Sequence, residues 1–226
     1  MKRDSVAISD IEVRYERAVH DWARLRETHP QLSAPLLLNP PSEYFSLQNR
    51  LMIVGQETLG WGEELSADDS TSDLVAALRS GYSNFALGAG YRSTPFWAAA
   101  NQLFKVLNPA ATTRCYLWSN LVKMDDAGRR PNAELERVVA DLGLLEAEIE
   151  SYDPQVVIFF TGPYYDARLV ATFPGAELVR HSKPVARLVH PNLPTRTFRT
   201  YHPRYLRMSR QWHALDEIAD RCAVQD

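Results

Sequence analysis

The chain reads as an α/β protein: a three-layer α/β/α arrangement around a central, mostly parallel sheet of four or five strands. Three observations predict this. Two short, unbroken apolar runs, Leu51-Met52-Ile53-Val54 and Val156-Val157-Ile158-Phe159-Phe160, lead into glycine-bearing turns, the pattern of strands buried on both faces. Amphipathic segments of ten or more residues alternate with the strands, as crossover helices do. The 226 residues, 45% of them hydrophobic, suffice for one sizeable core. A single domain over 1–226 is therefore expected, with 1–47 as an N-terminal helix and proline-rich connector.

In 9–28, Ile11, Tyr15, Val19, Trp22 and Leu25 recur at helical spacing behind a Ser9 or Asp10 cap, predicting an amphipathic helix on the outside of the core. Pro30 ends it, and the prolines at 30, 35, 40 and 41 make an irregular connector to the first strand, 50–55. Residues 60–95 read as a long connection holding a short helix at 71–79. Its aromatics, Tyr82, Phe85, Tyr91 and Phe96, suit a loop folded over a planar ligand or one pinned to the core. A helix starts at Ser93 or Thr94, with Pro95 in its first turn, and stops before Asn108-Pro109. A strand over 115–119 ends at Asn120, a helix covers 132–151, and the strand 156–160 ends at Thr161-Gly162. A helix at 164–172 follows, then strand candidates at 177–180 and 186–190. Residues 195–201 alternate Thr and Phe with Arg, as a strand with one face in the core does. An amphipathic helix over 209–222 closes the chain.

Net charge is −3 and the sequence pI is about 6.1, which does not advertise a nucleic-acid binder. The average hides an asymmetry. Residues 180–210 carry eight Lys and Arg and no acid, whereas 57–73 carry six acids and no base. A local basic face can hold phosphates on an acidic protein; the other reading is a solvated face salt-bridged to the acidic loop. Cys115 and Cys222 match no metal or disulfide spacing, so no metal and no cofactor is expected. The first ten residues lack an apolar signal core and no run reaches membrane-spanning length, so a soluble, cytoplasmic protein is expected.

Three polar side chains fall at expected strand ends: Glu57, Asn120 and His202. In a parallel sheet such ends share one edge. An amide offers a donor and an acceptor to one planar edge. A carboxylate positions water or steadies a developing cation, and an imidazole stabilises an anionic leaving group. Together these are the tools for breaking a base–sugar bond, which passes through an oxocarbenium-like state with the base extruded. Each residue also has a plain structural reading: a polar loop for Glu57, a turn-shaping amide for Asn120. His190, in LVHPNLP, is a rival for the histidine; His202 is preferred because the basic loop and the closing helix follow it.

Three motifs in order carry a family likeness: Gly55-Gln56-Glu57-Thr58-Leu59, then LWSNLVKM around Asn120, then HPRYLR from His202 to Arg207. The chain resembles the uracil-DNA glycosylase superfamily over about 51–212, nearest to branches whose first motif is G-E-A-P-G. The resemblance implies that Glu57 takes the water-activating position with Gln56 beside it. It implies further that Asn120 reads the base, Phe85 stacks on it ahead of the rivals Tyr82, Tyr91 and Phe96, and His202 stabilises the departing base. Leu206 would wedge into the duplex, and Arg204, Arg207, Arg210 and Lys183 would hold phosphates. The chain departs from the family in Glu57 for Asp or Asn, Thr58 for Pro, and Arg204 for Ser.

The expected activity is that of a monofunctional DNA N-glycosylase acting on a flipped uracil or related damaged base. A glycosylase for a modified base, such as a phage hypermodified one, in defence is an alternative, as is a non-catalytic nucleic-acid-binding module. The expected partner is DNA, with no membrane and no metal, and the chain is expected to act as a monomer.

Overall fold

The computed structural model describes residues 2–62, 65–66, 68–140 and 142–223, with side chains from residue 10 onward. Glu63 and Glu64 of the acidic run lie outside the described residues. In chain order the elements are α1 (Lys2–Arg26), β1 (Leu51–Glu57), α2 (Thr71–Phe85), α3 (Pro95–Leu107), β2 (Leu117–Val122), α4 (Ala133–Ala140), α5 (Leu144–Tyr152), β3 (Val156–Phe159), α6 (Asp166–Thr172), β4 (Glu177–Arg180), β5 (Val185–Val189), β6 (Arg196–Thr200), α7 (Pro203–Met208) and α8 (Ala214–Ala223).

The α/β class is as the sequence predicts, with helices flanking the sheet, but the sheet has six strands in the order β2-β1-β3-β6-β5-β4 rather than four or five. The apolar strands pair in parallel: Leu51 to Val54 of β1 align with Val156 to Phe159 of β3, which align in turn with Arg196 to Arg199 of β6. Both members of the antiparallel hairpin β4–β5 join the sheet, at the two places, 177–180 and 186–190, where the sequence offers strand candidates. Leu51 through Val54 and Val156 through Phe159 are completely buried. Each such side chain contributes roughly 1.5–3 kcal/mol over its exposed state.

The described residues fall into two compact units. The first comprises Met1–Asn39, Gln56–Phe85 and Ser119–Asp153, and the second Pro40–Gly55, Ala86–Trp118 and Pro154–Asp226. In the first, α1 packs on α2 and α5. Ile11, Tyr15, Val19 and Trp22 form its buried stripe, as their spacing predicts. In the second, α3 packs on α7 and α8.

Four sequence expectations are corrected. The first helix begins at Lys2, so Ser9 and Asp10 lie inside it and cap nothing. The short helix of 60–95 extends to Phe85, putting Tyr82 and Phe85 on a helix, with Tyr82 buried. The helix over 132–151 is two, broken at Gly143, whose φ of 60° is left-handed. The closing helix starts at Ala214 rather than at 209, and a short helix not expected from the sequence, α7, precedes it, with Arg210 at φ 56° in the turn between them.

Candidate active site

Gln56, Glu57, Phe85 and Asn120 belong to the first unit. Gln56 and Glu57 end β1, both half-buried, as a strand running into a glycine loop implies. The loop beyond them is clamped. Thr58, where the likeness expects proline, is buried and its hydroxyl lies 3.1 Å from that of Ser33. The Gly60 amide donates to Asp125 Oδ2 at 2.9 Å, the Gly128 amide donates to Asp125 Oδ1, and the Asp125 amide donates to Ser33 Oγ. Asp125 therefore sets the course of the chain just past Glu57. In the sequence Asp125 sits inside a polar run, Asp125 to Arg130, with no apolar period to mark it; an Asp three residues before Gly is the signal for it.

Asn120 does not end its strand. It is the fourth residue of β2, because the apolar pair Leu121-Val122 continues the ladder. Asn120 is 2% exposed, and among the described residues its Nδ2 has no hydrogen-bond partner. A buried amide donor left unpaired costs roughly 1–3 kcal/mol, so folded chains rarely keep one without use. Strand alternation puts Asn120 on the face opposite Ser119. Ser119 belongs to a closed network: Lys123 Nζ donates to both oxygens of Glu148 at 2.7 Å and to Ser119 Oγ at 2.8 Å, while Tyr15 and Ser119 donate to the same carboxylate. Burial pushes the Lys123 amine below its ordinary value and the Glu148 carboxyl above its own, each opposed by the other's charge. Phe85 is half-buried and meets Trp61 edge-on, with centroids 5.8 Å apart.

His202 and the basic residues belong to the second unit. His202 follows β6 and caps α7: its Nδ1 accepts from the Arg204 backbone amide at 3.2 Å. An accepting Nδ1 leaves the proton of a neutral ring on Nε2, which is then a donor. Burial, aided by the Arg204 charge, holds the imidazole below the usual histidine range, so the ring is neutral at pH 7. Phe96, at the start of α3, lies 5.9 Å from the His202 ring at an interplanar angle of 31° and meets Phe160 edge-on. His190 is occupied elsewhere, with Nε2 3.2 Å from the Pro174 carbonyl.

Leu206 is completely buried, against its expected role as a wedge, because it faces inward from α7. The apolar side chains exposed on that helix are Tyr205 and Met208, the latter 74% exposed. Lys183, Arg204, Arg207 and Arg210 are all exposed, with Arg207 stacked 5.1 Å over Trp212. Other cations of the basic run serve the fold: Arg199 pairs with Asp166 at 2.8 Å, and Arg196 donates to Asn49. Among the described residues no group of three or more His, Cys, Asp or Glu could hold a metal ion, and no helix is long and apolar enough to cross a membrane.

Comparison with known families matches residues 81–221 to the family described as the Uracil DNA glycosylase superfamily. The match takes in Phe85, Phe96, Asn120, Lys183 and the whole His202 loop, and begins after Gln56 and Glu57. No curated protein matches the chain.

Proposed function

The chain belongs to the uracil-DNA glycosylase superfamily, a family of DNA glycosylases, and on that premise we propose that it is a monofunctional DNA N-glycosylase acting on a flipped uracil or related damaged base. The observation that carries the reading is Asn120: a buried amide whose donor has no partner among the described residues is suited to the edge of a base. His202 donates through Nε2 to a base carbonyl oxygen as negative charge builds there, and a neutral donor held in place by its own backbone contact costs no reorganisation. Glu57 positions the attacking water and steadies the oxocarbenium-like sugar, with Gln56 beside it. Lys123 is committed to Glu148, which supports hydrolysis by water over a Schiff base.

Two assignments shift from the sequence reading. Phe96 is the better stacking partner, because its ring faces that of His202 while Phe85 engages Trp61. Met208 is the better wedge, because Leu206 is buried. Arg204, Arg207, Arg210 and Lys183 hold DNA phosphates, and the chain works as one glycosylase-like domain over its length.

The test is abasic-site formation on single- and double-stranded oligonucleotides carrying uracil, hypoxanthine, xanthine or hydroxymethylated cytosine. Release of one of these bases is expected, with single-turnover rates lowered about 10²–10³-fold in Glu57→Gln and His202→Ala. DNA binding without release of any base, unchanged in both variants, would identify a binding module instead. A His202→Ala rate equal to that of the wild type would remove His202 from the chemistry.

A further inference from the structure

A second cluster of cations lies in the second unit, built from residues outside the basic segment 180–210. A cavity of about 290 Å³ is lined by Arg92, Lys105 and Arg114 together with Asn101, Thr112 and Thr113, and no carboxylate lines it. Its size is at the small end of ligand pockets, enough for a phosphate group with part of what it is attached to.

Arg114 is half-buried and held in place. One guanidinium nitrogen donates to Asn101 Oδ1 at 3.1 Å and another to the Ala86 carbonyl at 2.9 Å. Asn101 Oδ1 is fixed in turn by the Tyr116 hydroxyl at 3.1 Å. Both of these acceptors, the Asn101 amide oxygen and the Ala86 carbonyl, are neutral, and burial works against the Arg114 cation, opposed by the Tyr116 hydroxyl and aided by the nearby Arg92 charge. Glu43 acts on the neighbouring Cys115 thiol, not on Arg114, and does not line the cavity. Arg92 and Lys105 are exposed and make no ion pair among the described residues. Three cations in one concavity, one of them oriented and partly desolvated without a counter-charge, raise the local affinity for an anion. A guanidinium fork beside hydroxyl and amide donors matches the oxygens of a phosphate.

We propose that the Arg92–Lys105–Arg114 cavity is a phosphate-binding site, separate from the contacts made by the His202 loop. The phosphate belongs either to a DNA backbone or to a free nucleotide, and both present non-bridging phosphate oxygens. The site stands whether or not the chain cleaves a glycosidic bond.

The test uses the full chain and two measurements. The first is calorimetric titration with inorganic phosphate and with a deoxynucleoside monophosphate. The second is DNA affinity as a function of salt. Arg92→Gln and Lys105→Gln are the informative variants, because these exposed side chains hold nothing in place; Arg114→Gln is added with its folding checked by circular dichroism. Phosphate or nucleotide binding is expected to weaken about tenfold in each. A DNA salt slope shallower by about 0.9 per lost contact assigns the phosphate to the DNA backbone. An unchanged slope with weakened mononucleotide binding assigns it to a free nucleotide. Wild-type-like affinity of Arg92→Gln and Lys105→Gln for phosphate, nucleotide and DNA alike overturns the proposal. Base release by these variants at saturating DNA separates this outcome from a failure of the glycosylase reading, since neither residue belongs to the proposed chemistry.

Discussion

At the scale of single residues, the proposed chemistry rests on two side chains held in unusual states. Asn120 keeps a buried Nδ2 without a partner among the described residues, a state that weakens the free protein and becomes useful when a ligand arrives. Asn120→Leu should therefore raise the unfolding free energy by about 1 kcal/mol in urea titration while losing base release. A loss of stability in that variant would mean the amide supports the fold. His202 was legible as a motif residue, but its neutrality and the direction of its free N–H depend on the Arg204 amide, which only the backbone turn brings to Nδ1. Its folded-state pKa lies below the ordinary value of about 6.5. The unfolded chain therefore binds more protons between that value and the lower one, and stability falls as pH drops through this window. In His202→Asn, whose side chain still caps α7, this part of the pH dependence should vanish when unfolding is followed from pH 7.5 to pH 5.

At the scale of elements, period and punctuation located most helices and strands and misjudged their ends. β2 was placed two residues early because Ser119-Asn120 looks like the polar stop of an apolar run. In the fold both are buried, and Ser119 is satisfied by Glu148, 29 residues on, and by Lys123, just past the strand. That network ties α1, β2 and α5 together through a buried ion pair with 4% and 0% side-chain exposure. Lys123→Met leaves the Glu148 carboxylate buried without its cation, and the expected loss is about 3–5 kcal/mol in urea unfolding. The pair Lys123→Met with Glu148→Leu should recover most of it. If the double variant is as unstable as the single, the network does more than neutralise one charge. Gly88 shows a constraint of another kind: at φ 65°, a Cβ there would lie 2.4 Å from the Trp97 ring. No spacing rule reveals that close approach.

At the scale of the whole molecule, the charge asymmetry matters more than the net charge of −3. The exposed members of the basic run are Arg180, Lys183, Arg204, Arg207 and Arg210, whereas Arg196 and Arg199 are turned into the fold. DNA affinity should therefore fall steeply with salt. Arg204→Gln and Arg210→Gln should each make the slope shallower by about 0.9, read from fluorescence anisotropy across a salt series. An unchanged slope in both would move the DNA surface elsewhere. The α/β class, the parallel pairing of the apolar strands, the family likeness and the order of Glu57, Asn120 and His202 along the chain were all determined by the sequence itself. Hydrophobic period and motif order are local properties, readable from a few neighbouring residues. Tertiary structure alone decided the order of the strands in the sheet, the burial of Leu206, the ring facing His202 and the clamp of Asp125 on the Gly60 amide. It also decided the orphaned amide of Asn120 and the cavity of three cations. Each of these depends on which distant residues meet, and burial and hydrogen-bond partners exist only once they have met.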